Sequence, residues 1–154
     1  MGRIIANLAI GAVLTSIVAF GADKFTGTWK LNMEKSKFSP APPVKSLTTT
    51  REATADGVKV TSTGELADGT AINSNNTVKY DGKSYPITGA PWDTMTIKQV
   101  NENTLTSEAK KTDGKYSSTA RTVVSKDGKT MTITSHGTTV DGKPSRYTMV
   151  YDKQ

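Results

Sequence analysis

The chain has 154 residues and a formal net charge of +6, enough for one domain with its own core and too few for two. It has no cysteine, which excludes disulfides, thiolate metal sites, a cysteine nucleophile and a lipid-modified cysteine. His136 is the only histidine, which argues against a histidine-built zinc site or a Ser-His-Asp triad.

The first predicted element is a signal peptide over residues 1–21. Arg3 supplies a positive start, Ile4 to Phe20 form an apolar run, and Ala19-Phe20-Gly21 offers the small residues a signal peptidase reads. Cleavage is expected after Gly21, since cleavage after Ala22 would put Phe20 where a small residue is preferred. The mature protein is then periplasmic or secreted. The competing reading is an uncleaved anchor, because about 17 apolar residues reach the lower edge of a membrane span. No later segment is apolar enough to cross a bilayer.

Residues 22–154 read as one all-β domain. Asp-Gly recurs at Asp56-Gly57, Asp68-Gly69, Asp81-Gly82, Asp113-Gly114, Asp127-Gly128 and Asp141-Gly142. Such pairs accept the positive φ angles of tight hairpin turns. Alternation is clearest at Phe25, Gly27, Trp29, Leu31 and Met33, and returns at Val58 and Val60, at Met131 and Ile133, and at Tyr147, Met149 and Tyr151. Threonine is abundant and suits a pleated surface. Strands are expected near 25–33, 45–54, 58–66, 70–80, 83–88, 92–100, 104–112, 115–125, 129–140 and 143–152. The proline-rich stretch Glu34 to Lys45 reads as an extended loop, with Phe38 as a plug on the core or a lid hinge. Short connections imply an antiparallel up-and-down meander. Closure into a small barrel of about 8–10 strands removes the exposed edges, with a two-sheet sandwich as the alternative.

Of the 14 carboxylates, six belong to the Asp-Gly turns, where aspartate serves backbone geometry. Glu52 and Glu65 fall opposite the apolar residues of their strands. Asp93 shares parity with Met95 and Ile97, and a single inward carboxylate is not an acid–base pair. No catalytic residues, metal site or cofactor are therefore expected. The Asp-Gly turns supply too few oxygens each for calcium. His136 reads as a surface or rim residue. The lysines are scattered beside turns, with no basic block interleaved with aromatics, so nucleic acid is not an expected partner. Alternation puts Arg51 on one face with Leu47 and Ala53, and Arg121 on one with Ser117, Thr119 and Val123. An inward arginine needs an anion or a carboxylate: a ligand's anionic head group, or an internal pair with Asp93. Outward placement is the remaining alternative.

The run Phe25-Thr26-Gly27-Thr28-Trp29-Lys30-Leu31 resembles the first strand of the lipocalin and fatty-acid-binding-protein superfamily, in which a Gly-x-Trp motif opens the barrel. The C-terminal series Asp113-Gly114-Lys115, Arg121, Asp127-Gly128-Lys129 and Val150-Tyr151-Asp152-Lys153 is similar to the last strands of the fatty-acid-binding branch. The resemblance implies a barrel of about ten antiparallel strands with an internal apolar-ligand cavity, and Trp29 packed inside one end. It also implies that Arg121 and Tyr151 help bind a carboxylate. The arginine the branch carries two residues before that tyrosine is Met149 here, and the proline-rich loop stands where the branch has a helical lid. The expected function is a non-catalytic, extracytoplasmic barrel holding a small apolar or amphipathic ligand near Arg121, Tyr151, Tyr147, Met149, Arg51 and Trp29. A filled barrel acting through its surface is the alternative.

Overall fold

A computed structural model describes residues 23–154; the expected signal peptide and its cleavage site lie outside the described residues. Ten strands follow in chain order: β1 (Gly27–Ser39), β2 (Val44–Thr54), β3 (Gly57–Leu66), β4 (Ala71–Val78), β5 (Asp81–Pro86), β6 (Thr94–Asn101), β7 (Thr104–Lys110), β8 (Ser117–Val124), β9 (Thr130–Thr138) and β10 (Pro144–Lys153). All belong to one antiparallel sheet with the order β4-β3-β2-β1-β10-β9-β8-β7-β6-β5. This is a meander joined to itself through β1 and β10, with Trp29 opposite Lys153 and Leu31 opposite Tyr151. The nearly closed barrel is the form the sequence and its resemblance imply, and the sandwich alternative is set aside.

The seam falls between β4 and β5, which are consecutive but share no ladder. The Asp81-Gly82 pair, expected as their hairpin turn, instead opens β5 and lies in a register shift against β6. The side-chain amide of Asn76 bridges part of the gap: its Nδ2 donates to the Thr88 carbonyl at 3.1 Å, and its Oδ1 accepts from the Thr88 N–H at 2.9 Å. An amide side chain so placed copies the pairing of a backbone peptide group and protects an otherwise bare edge. Gly89 comes so near β4 that a Cβ there would sit 2.8 Å from the Asn73 carbonyl oxygen.

The proline-rich segment differs from its expectation. β1 continues to Ser39, and only the prolines and Ala41 form the connection. Between Asn32 and Lys37 the strand bulges by three residues against β10. Polar side chains build the bulge: Ser36 Oγ donates to the Asn32 carbonyl at 2.6 Å and accepts from the Val150 N–H at 2.9 Å. Asn32 and Lys35 both reach Asp152. The extra residues keep Phe38 on the inner face, where its ring meets Tyr147 at 5.7 Å. The plug reading of Phe38 fits this contact.

The turns follow their aspartates. Asp68, Asp81 and Asp127 each accept the backbone N–H two residues on, the local bond that favours aspartate in turns. At Asp113-Gly114 the aspartate itself takes the left-handed conformation, with φ 58°.

Candidate functional site

The barrel has a packed base and an open mouth. The base gathers the ends of even-numbered strands and the starts of odd-numbered ones. There Trp29, Phe25, Leu105, Met131, Val78 and Val124 are fully buried. Trp29 is placed as expected: its Nε1–H donates to the Phe25 carbonyl at 2.9 Å, so the ring packs without a stranded donor. Lys153 Nζ lies 5.0 Å from the Trp29 ring.

Near the base end of β2, opposite Gly27, Arg51 lies on the inner face with Leu47 and Thr49. Its Nη1 points to the Tyr80 hydroxyl at 3.4 Å, and its Nε is buried with no acceptor. Among the described residues Arg51 makes no salt bridge. Tyr80 stands edge-on to Phe25 at 6.0 Å, and burial pushes its phenol upward. Tyr151, opposite Leu31, is 3% exposed. Burial pushes it up to about 12, with the positive charge of Arg51 pulling the other way. Its hydroxyl has only the Met149 sulfur nearby, at 3.9 Å. The guanidinium thus meets one phenol, that of Tyr80, and leaves its Nε unpaired. Leaving a buried donor unpaired costs about 1–3 kcal/mol.

The wall above is apolar, and its side chains stay partly exposed. Met33, Leu47, Val60, Ile72, Met95, Ile133 and Met149 pack on the core while staying partly exposed. Between them stand small side chains: Ser62 opposite Ser74 and Thr49, and Ala120 opposite Ser107 and Ser135. At the mouth two aromatic pairs face inward, Phe38 with Tyr147, and Trp92 stacked on Tyr116 at 5.3 Å. The Nε1 of Trp92 is buried without an acceptor.

Two expectations are corrected. Arg121 is exposed on the outer wall. Val124 pairs with Met131 and Thr122 with Ile133, so these fill the inner face of β8 and turn Arg121, Thr119 and Val123 outward. Arg121 and Tyr151 therefore occupy opposite faces of the sheet. Asp93 does not turn inward to meet an arginine. It lies near the mouth, bound to the backbone N–H and hydroxyl of Thr112, and Lys111 is 3.3 Å away. The Thr112 N–H is the main cause holding its carboxyl below the usual range.

Tyr147, Met149 and Tyr151 share the inner face of β10 as alternation implies, and His136 is exposed. Sequence reasoning missed Tyr80, Trp92 and Tyr116. Tyr80, Trp92 and Tyr116 fall at the ends of the expected strands 70–80, 92–100 and 115–125, and the structure places all three just outside β4, β6 and β8. Among the described residues no three histidine or acidic side chains come together as a metal site, and no helix is long and apolar enough to cross a membrane. Two concavities lie outside the barrel. One, of about 310 Å³, runs along the outer wall beside Arg121, Val123 and Thr132; the other, of about 400 Å³, sits at the rim beside His136 and Arg146.

No protein-family model and no curated protein match the chain. Two similar solved structures are EF1p2_mFAP2b bound to DFHBI and zebrafish ileal bile acid-binding protein complexed with cholic acid. The first is 12% identical, with 86% of this chain and 96% of that one covered and a TM-score of 0.47. The second is 15% identical, with 85% and 99% covered and a TM-score of 0.48.

Proposed function

We propose that the mature protein is a non-catalytic, extracytoplasmic barrel that takes a small apolar or amphipathic molecule into its interior. One observation carries this reading: Arg51 stands on the inner wall against the Tyr80 hydroxyl with no carboxylate partner among the described residues. Pure structural packing gives little reason for an unpaired guanidinium there, because an apolar side chain of similar volume would avoid its desolvation. A ligand carboxylate, sulfate or phosphate would meet the guanidinium and the Tyr80 hydroxyl, while its apolar part would lie along Leu47, Ile133 and Met149. Arg121 has no part in this head-group site, which differs from the one the resemblance implied.

The experiment is a titration with a fluorescent fatty acid and with its alcohol analogue, paired with native mass spectrometry of protein purified from its own host. The expected result is saturable binding of the acid, tighter than of the alcohol by about tenfold, as a charge-assisted hydrogen bond implies. Equal affinity for both would move the head group away from Arg51. Binding of neither, with no co-purified molecule, would leave the filled barrel as the better account.

A further inference from the structure

We propose that the outer wall formed by β8, β9, β10 and the end of β1 is a binding face for an anionic polysaccharide. Three cations there have no carboxylate partner among the described residues: Arg121 on β8, Arg146 on β10 and Lys37 on β1. The register fixes their arrangement. Arg121 is opposite Thr134, Thr134 is opposite Thr148, and Thr148 is opposite Lys37, while Arg146 is opposite His136. With strands about 4.8 Å apart and two residues spanning about 6.8 Å, Cα separations come to about 8 Å for Arg146–Lys37, 12 Å for Arg121–Arg146 and 14 Å for Arg121–Lys37. One small anion cannot meet all three, whereas a chain bearing repeated charges can.

Elsewhere on the barrel several cations lie beside or opposite acids. Lys45 is 2.7 Å from Glu65, Lys35 is 3.1 Å from Asp152 and Lys110 is 3.7 Å from Glu108. Lys59 is opposite Glu52, and Lys98 is opposite Asp81. Arg121 and Arg146 are also the cations that line the two concavities of the outer wall and rim.

Shape and chemistry narrow the partner. The groove of about 310 Å³ beside Arg121 is lined by Ser125, Thr130, Thr132, Thr134 and Val123, a mainly apolar surface edged by hydroxyls. The rim hollow of about 400 Å³ continues past the end of β9 with His136, Thr138 and Arg146. Hydroxyl rows between guanidinium groups suit a hydroxyl-rich, charged sugar chain. A bilayer fits poorly, because the exposed large hydrophobics, Val100 and Val140, lie off this wall. Nucleic acid fits poorly too, since no aromatic ring stands on the wall to stack a base.

The test compares dextran sulfate with neutral dextran, which share a backbone and differ in charge, at low ionic strength where exposed charges are least screened. The wild type should bind only the sulfated polymer. The variant Lys37→Gln/Arg121→Gln/Arg146→Gln should bind it about tenfold more weakly, at two- to threefold per exposed charge. A control, Lys59→Gln/Lys83→Gln/Lys98→Gln, removes the same charge elsewhere and should stay within about twofold. Thr134→Val should weaken dextran sulfate binding and leave any binding to phosphatidylglycerol vesicles unchanged. Equal losses from the two triple variants would overturn the proposal. So would failure of the wild type to bind dextran sulfate, or tighter binding to the vesicles or to single-stranded DNA. None of these results depends on a ligand inside the barrel.

Discussion

Replacing Arg51 with methionine separates a binding role from a structural one. In the folded protein its guanidinium contributes one long contact, Nη1 to the Tyr80 hydroxyl at 3.4 Å, and leaves Nε buried and unpaired. The contact contributes at most about 1 kcal/mol, and the unpaired donor costs about 1–3 kcal/mol. Methionine has a flexible apolar side chain that can fill the same lane beside Leu47, which lies on the same face. Arg51→Met is therefore expected to leave stability unchanged or raise it by up to about 2 kcal/mol. The same change should weaken binding of a fluorescent fatty acid at least about tenfold and leave its alcohol analogue nearly unaffected. Urea unfolding monitored by tryptophan fluorescence gives the first quantity, and ligand titration gives the second. A loss of more than about 1 kcal/mol would refute the reasoning, because it would make Arg51 a structural tie whose partners the contacts above do not account for.

Trp29→Ala should destabilise the fold by about 3–5 kcal/mol in the same urea assay, since it empties the base of a fully buried ring; a loss under about 1 kcal/mol would contradict that burial. Gly137→Ala should cost about 1–3 kcal/mol, because a Cβ there would overlap the Ser117 carbonyl oxygen on the neighbouring strand; unchanged stability would mean β8 and β9 sit further apart. Asp141 is held down to about 2, first by the Thr139 hydroxyl, and Asp68, Asp93, Asp127 and Asp152 are also held low by hydrogen bonds. Their folded values lie below those of the unfolded chain, so the stability they contribute is present above about pH 4 and is lost as pH falls toward 2; an unchanged urea midpoint between pH 5 and 2 would contradict it. Ala120→Phe, on the inner wall, should abolish ligand binding while changing stability by less than about 1 kcal/mol; a loss of 2–3 kcal/mol would mean the wall is already packed.

Much of this barrel was legible in the sequence because its turns and faces are written locally. Asp-Gly pairs marked most hairpins, and alternation set the faces of β1, β3, β9 and β10. What stayed hidden was non-local. Val123 and Val124 are adjacent, so parity alone leaves β8 with two candidate inner faces, and only the pairing of Val124 with Met131 decides. That decision turned Arg121 outward and moved the candidate head-group site to Arg51 on β2. The seam was invisible for the same reason: nothing local in Lys79-Tyr80 shows that β4 and β5 leave their edges unpaired. The β1 extension depends on Ser36 Oγ standing in for a missing ladder partner of Val150, a contact between residues far apart in the chain.

The distribution of side-chain size along the inner wall argues that the interior has room. The largest buried side chains, Trp29, Phe25, Leu105 and Met131, gather at the base. Higher up, the inward positions hold Ser62, Ser74, Ser107, Ala120 and Ser135, with Ile133 and Met149 partly exposed. A ring of ten strands is wider than one of eight, whose interior side chains can just fill. Small residues at that width leave the middle to water or to a guest. Arg51 stands near the base, opposite Gly27 and against the Tyr80 phenol. Water alone would satisfy the guanidinium but would leave Ile133 and Met149 wetted. A molecule with an anionic head and an apolar body would satisfy both, so Arg51 together with a partly exposed apolar wall is the strongest argument for a ligand.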